Sequence, residues 1–303
     1  MTLRANGKLL LTAEYFVLAG ATAIVLPLRF GQQLTVSSNN SSTLEWNSYS
    51  NNTLWFSAKF SLPGFTIVST TSQSVAENLA MLLKTASNLS HNPNALLSKS
   101  IRVDADFDLQ WGLGSSSTLT SLVAQLLNVD AFTLHKQTSN GSGYDVIAAT
   151  QNSPFSFQLN SSTHITKPVS LPQALTSNAV FTYLGKKQSS AASIKGLTSN
   201  NFSKADIESV SALSNAFMQA QSVAQLVDII DSHEAMIAKL IGSTPIKQKR
   251  FADFNGAVKS LGAWGGDFAL FISPMGMEYT KRYIAGHNLN PVFEYGDIGM
   301  ERG

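Results

Sequence analysis

The chain has 303 residues, enough for one large domain or two lobes around a cleft, and 44% of them are hydrophobic, so a substantial core can form. Charged residues are only 13%, roughly half the usual share of about 25%, and the 21 basic and 19 acidic side chains nearly cancel. With no basic stripe beyond Lys247–Arg250, no cysteine and no apolar run near the ~18 residues of a membrane span, the composition speaks against a nucleic-acid or membrane partner, disulfides, thiolate zinc sites and thiol chemistry.

Lys8–Leu18 is dense in Leu, Tyr, Phe and Val and predicts a strand running to a turn at Gly20. A second apolar run covers Ala21–Leu28, and Leu34–Val36 begins another strand. Ser38–Ser42 and Asn47–Thr53 have the composition of hairpin tips. Ser74–Leu89 carries Val75, Leu79, Leu82 and Leu83 at helical spacing. In Ile101–Leu109 the residues Ile101, Val103, Ala105, Phe107 and Leu109 alternate with Arg102, Asp104, Asp106 and Asp108. That pattern predicts a half-exposed antiparallel strand.

Trp111–Ser117 (WGLGSSS) follows, and then a helix over Thr118–Asn128 with Leu119, Leu122, Val123, Leu126 and Leu127 on one face. Lys167–Pro172 is the expected lobe boundary, dividing the chain into residues 1–166 and 167–303. Beyond it Val180–Leu184 reads as a strand, Ala205–Leu240 as mostly helical and Ile246–Val258 as a further helix. Gly262–Gly266 is a glycine turn before the strand Phe268–Ile272. The order of elements predicts an α+β fold with antiparallel sheets.

WGLGSSS brings together what a phosphate needs. Gly112 and Gly114 allow a tight turn, Ser115, Ser116 and Ser117 supply hydroxyls, and a helix N-terminus offers N–H groups with a favourable dipole. Two other phosphate loops do not fit. The pattern G-x-x-x-x-G-K-[ST] meets Thr2 at its first glycine and Leu9 at its hydroxyl position. The dinucleotide pattern G-x-G-x-x-G meets Ser117 at its third glycine. A plain strand-to-helix turn with a serine N-cap is the competing reading.

GLGSSS opening a helix, with GKLLLTAEY near the start and GAWGGD near the end, resembles the GHMP kinase superfamily, and the three motifs occur in that family's order between Gly7 and Asp267. GSGYDV (Gly141–Val146), LGKKQSS (Leu184–Ser190) and KSLGAWGGD (Lys259–Asp267) look most like the phosphomevalonate kinases, with the mevalonate kinases next. The resemblance implies a two-lobe fold, with an N-terminal lobe like the second domain of ribosomal protein S5 and a ferredoxin-like C-terminal lobe. It also implies an ATP- and Mg²⁺-dependent transfer of the γ-phosphoryl group to a small-molecule acceptor, by a cytoplasmic monomer or homodimer.

Carried over residue by residue, Asp145 matches the catalytic aspartate and Lys8 the lysine that stabilises the transferred charge. Gly112, Leu113, Gly114, Ser115, Ser116 and Ser117 would bind ATP, with Ser116 also reaching Mg²⁺. Lys187, Ser189, Gly262, Gly265 and Gly266 would face the acceptor, and Glu14 would play a structural part. The sequence departs from the family at Asn6, Ala13 and Trp264, where Pro, Gly and Gly are usual. Ala131–Tyr144 also lacks the acidic residue that helps hold the metal in mevalonate and galactose kinases. These departures keep open a homologue that binds nucleotide without catalysis. The five histidines receive no role, and the apolar stripe of Ala205–Leu240 reads as core packing.

Overall fold

The computed structural model describes residues 1–92, 95–185, 201–262, 264 and 267–300. They fall into two compact units that alternate along the chain. The first comprises Met1–Gly7, Phe30–Leu109 and Leu113–Gln151, and the second Lys8–Arg29, Gln110–Gly112 and Asn152–Gly303. The fold is α+β, as expected.

In the first unit the strands are β1 (Thr2–Leu10), β2 (Ala23–Ser38), β3 (Thr43–Ser50), β4 (Thr53–Ser61), β5 (Thr66–Thr70) and β6 (Lys99–Ala105). Both β1 and β2 run on into the second unit. The strand order is β5-β4-β3-β6-β2, with β1 also pairing with β2. Asn51 and Asn52 both adopt positive φ, 48° and 62°, which is the twist a two-residue hairpin between β3 and β4 demands.

Ser38–Ser42 is not a hairpin tip. Strand β6 separates β2 from β3, lying antiparallel to the one and parallel to the other. The alternation of β6 survives, with Ile101, Val103 and Ala105 buried and Arg102 exposed, but the strand ends at Ala105 and its pairing is mixed.

Four helices complete this unit: α1 (Gln73–Leu89), α2 (Ser115–Leu127), α3 (Ala131–Thr138) and α4 (Tyr144–Ala148). Leu79 and Leu83 of α1 and Leu122 and Val123 of α2 share one core with Trp46, Phe56, Phe60, Ile101 and Val103 of the sheet. Each large apolar side chain so buried contributes about 1.5–3 kcal/mol. Exposed Lys59 pairs with half-buried Glu45 at 2.8 Å, and exposed Arg102 with half-buried Asp104 at 2.6 Å.

The second unit holds β7 (Phe155–Asn160) and β8 (Thr163–Pro168), which continue from the first residues of β2. A separate sheet of β9 (Val180–Tyr183), β10 (Ala257–Ser260), β11 (Phe268–Ile272) and β12 (Val292–Glu294) has the order β10-β11-β9-β12. Its helices are α5 (Gln173–Thr176), α6 (Lys204–Gln219), α7 (Val223–Ile241), α8 (Ile246–Arg250), α9 (Met277–Gly286) and α10 (Tyr295–Ile298).

Two expectations are corrected here. The strand predicted over Lys8–Leu18 ends at Leu10, and a short 3-10 helix at Phe16–Ala19 closes on Gly20 at φ 87°. Ala205–Leu240 is mostly helical, as expected, and divides into two helices, because the Ser222 hydroxyl accepts the Gln225 N–H and starts a new one. The helix expected over Ile246–Val258 stops at Arg250, since Ala257–Ser260 is committed to pairing with β11.

Candidate active site

Helix α2 begins at Ser115 rather than Thr118, so the three serines form its first turn and are not a loop before it. Gly114 is the N-cap at φ 96°, a left-handed conformation that favours glycine. No side chain caps this end, and the first N–H groups of a helix have no partner within it. The hydroxyl of Ser117 is buried and donates back to the Gly114 carbonyl at 2.8 Å, which turns it away from a ligand role. Ser116 is exposed and Ser115 half-buried, and neither hydroxyl forms a hydrogen bond among the described residues. Leu113 is buried.

Asp145 sits in the first turn of α4, half-buried, its Oδ1 accepting the Val146 N–H at 3.1 Å. Helices α4 and α2 pack on one another. The glycines before Asp145 are explained by packing. Gly143 has φ 87°, and a Cβ there would lie 2.6 Å from the Phe132 ring of α3. One on Gly141 would lie 3.2 Å from His135.

A second group of residues gathers in the other unit. Lys8, 6% exposed, donates from Nζ to the Gly112 carbonyl at 3.3 Å. Gly112 has φ 72°, and a Cβ on it would stand 2.7 Å from the carboxyl carbon of Asp267. Gly262, at φ 76°, faces the same carboxylate, with a Cβ placed 3.2 Å from its Oδ2. Two glycines thus accommodate one buried aspartate. Asp267 is fixed through its backbone, whose carbonyl accepts the Leu184 N–H at 2.8 Å. Trp111 anchors Gly112 by packing edge-on to Phe268 and Phe293, with ring centroids 6.0 and 5.7 Å away. Trp264 is buried at φ 57°, and its indole nitrogen has no acceptor among the described residues. Lys187, Ser189, Gly265 and Gly266 lie outside the described residues.

The same unit holds a buried ionic cluster. The Lys259 ammonium on β10 reaches Glu14 Oε1 at 2.6 Å, Glu234 Oε1 at 3.2 Å, the Ser260 carbonyl at 3.3 Å and His233 Nδ1 at 3.3 Å. His233 Nε2 accepts the Ala13 N–H at 2.8 Å, so the imidazole proton belongs on Nδ1. Nδ1 is then no acceptor, and the three ammonium hydrogens go to Glu14, Glu234 and Ser260. Burial first, and then the Lys259 charge, push the His233 imidazole well below the ordinary histidine value. Its 3.5 Å approach to Glu14 is therefore not an ion pair.

Burial raises both carboxylates against the pull of Lys259, Glu234 to about 7. Burial alone would depress Lys259, but the two carboxylates outweigh it and hold the ammonium above its ordinary value. Ala13 and Tyr15 stand at φ 65° and 64°, each costing about 1–3 kcal/mol for a residue with a side chain.

The sequence reading gave Asp267, Trp111, Lys259, His233 and Glu234 no role. For the last two a signal existed. Leu226, Ile230, Ile237 and Ala238 mark the buried stripe of α7, and positions 233 and 234 fall at that stripe's spacing. Polar groups at core positions need partners: His233 Nε2 takes the Ala13 N–H, and Glu234 accepts from Lys259 and the Ser260 N–H.

No family model and no curated protein sequence matches the chain. Solved structures do. Phosphomevalonate kinase from Streptococcus pneumoniae, in complex with phosphomevalonate and AMPPNP, superposes with a TM-score of 0.74 and 15% identity, covering 97% of this chain and 99% of that one. The chain has a GHMP kinase-like fold. Mevalonate kinase from Methanococcus jannaschii has the same fold, with a TM-score of 0.67 at 13% identity over 100% of this chain and 98% of its own. So does galactokinase from Lactococcus lactis complexed with galactose, with a TM-score of 0.67 at 12% identity over 96% of this chain and 91% of its own. At these identities the likeness establishes the GHMP kinase-like fold alone. Among the described residues no helix is long and apolar enough to cross a membrane, and no group of three His, Asp or Glu could hold a metal ion.

Proposed function

We propose that the protein transfers the γ-phosphoryl group of ATP to a small-molecule acceptor, with 5-phosphomevalonate the first candidate and mevalonate the second. The observation that carries this reading is the uncapped N-terminus of α2, opened by Gly114 at positive φ and presenting Ser115 and Ser116, on a chain that superposes over 97% of its length on a GHMP kinase-like fold. N–H groups and a helix dipole at such an end suit the anionic tail of a nucleotide. The motifs GSGYDV, LGKKQSS and KSLGAWGGD support the choice of acceptor.

In this reading Asp145 accepts or orients the acceptor's hydroxyl proton. Lys8 offsets the charge that develops on the transferred group, its ammonium held in place by the Gly112 carbonyl. Mg²⁺, when bound with the nucleotide, neutralises the β- and γ-phosphates, and the exposed Ser116 hydroxyl is the protein oxygen that fits it. Gly262 keeps space beside Asp267 on the acceptor side, and Lys187, Ser189, Gly265 and Gly266 are proposed to face the acceptor. The reading includes a cytoplasmic monomer or homodimer with no nucleic-acid or membrane partner.

A coupled ADP-release assay against phosphomevalonate, mevalonate, galactose and homoserine tests it. Turnover with phosphomevalonate above the other three is expected, and absence of turnover with either mevalonate compound removes this choice of acceptor. Trp264, buried where a small residue is usual, favours a second reading of nucleotide binding without transfer. Calorimetric ATP binding with no turnover on the panel would select that one.

A further inference from the structure

We propose that Lys259, Glu14, Glu234 and His233 form a positioning brace that holds the two segments delivering Lys8 and Asp267 to Gly112. The proposal rests on the reading of that group as a phosphoryl-transfer site. Glu14 lies in the turn that follows β1, the strand of Lys8, and Lys259 lies on β10, just before the segment of Gly262 and Asp267. One buried ammonium thus ties together the exits of both strands.

His233 supplies the second tie. Its Nε2 accepts the Ala13 N–H at 2.8 Å and so holds the left-handed turn through which the chain leaves β1. Thr12 is pinned in the same turn, its Oγ1 accepting the Ile24 N–H at 3.0 Å and the Ser214 hydroxyl at 2.8 Å. Stability does not require such a cluster, because apolar residues of equal volume commonly serve as well as a buried ion pair. Four polar groups, none more than 2% exposed, instead fix one geometry. None of them touches Gly112, so they act through Lys8 and Asp267 rather than on a substrate.

The test uses the full-length protein labelled with ¹⁵N in alanine, histidine and lysine. Wild type should show scalar coupling between Ala13 N and His233 Nε2, and its absence overturns the brace outright. His233→Leu should shift the Lys8 Nζ resonance and lower kcat about 100-fold with the KM for ATP unchanged, the cost of a misplaced group. His233→Gln, whose side-chain carbonyl can accept the Ala13 N–H, should restore both. A wild-type Lys8 resonance and kcat in His233→Leu, or a His233→Gln as impaired as His233→Leu, would overturn the proposal. Should His233→Leu not fold, His233→Asn takes its place, since the shorter acceptor cannot reach Ala13. If wild type turns over no acceptor, the phosphotransfer reading fails and the Lys8 resonance alone decides on the brace.

Discussion

Gly112 and Gly242 both have left-handed backbones, at φ 72° and 61°, but their surroundings differ. A Cβ on Gly112 would meet the Asp267 carboxylate, and one on Gly242, at the end of α7, would meet nothing within 4 Å. Gly242→Ala should therefore cost only backbone strain, about 1–3 kcal/mol by thermal denaturation, with kcat unaltered. Gly112→Ala should add displacement of Asp267, reducing kcat/KM about tenfold or more at a greater cost in stability than Gly242→Ala. Equal activity in the two alanine variants would show that Asp267 takes no part. The glycines of GSGYDV teach the opposite lesson. Phe132 and His135 already fill the space beside them, so their missing Cβ atoms serve packing within the fold. Residue type is legible in a sequence, whereas the neighbour a missing Cβ makes room for is not.

At the scale of elements, α7 carries a pH dependence into the core. Glu234 rises from 4.5 to about 7, because burial outweighs the attraction of Lys259 while Glu14 adds repulsion. Glu14 is raised as well, again by burial, while burial and the Lys259 charge hold His233 well below the ordinary histidine value. A carboxyl raised in the folded state binds its proton there more tightly than in the unfolded chain. Its stabilising contribution is complete below pH 4.5 and declines as pH rises to about 7. Lys259, being raised, loses its contribution only above its ordinary range.

Glu234→Gln should remove this decline, so its stability relative to wild type should increase by up to about 3 kcal/mol between pH 4.5 and 7 in urea denaturation. Parallel pH profiles for the two proteins would place the titration elsewhere. Helix α7 itself was legible from Leu226, Ile230 and Ile237. Its separate start was not, because Ser222 and Gln225 form a capping signal inside a longer apolar pattern.

Over the whole molecule, the local patterns survived folding and the long-range pairings had to be seen. The alternation in β6 and the spacing in α1 and α2 follow from which faces are buried. That β6 enters between β2 and β3, or that Ala257–Ser260 leaves a helical context for a sheet, depends on partners far away in sequence. The candidate site divides the same way. GLGSSS, Lys8 and Asp145 stand out as motifs, and the ionic cluster emerges only when Glu14, Glu234 and Lys259 meet.

The most direct test of phosphoryl transfer is ADP release with the best acceptor of the panel, measured for wild type, Asp145→Asn and Lys8→Met with the ATP affinity of each determined by calorimetry. Turnover should fall by about 10²–10⁴-fold in both variants while ATP affinity changes little, the pattern of groups that act in the transition state. Undiminished turnover in Asp145→Asn would contradict the assignment of the base, and with it the proposed mechanism.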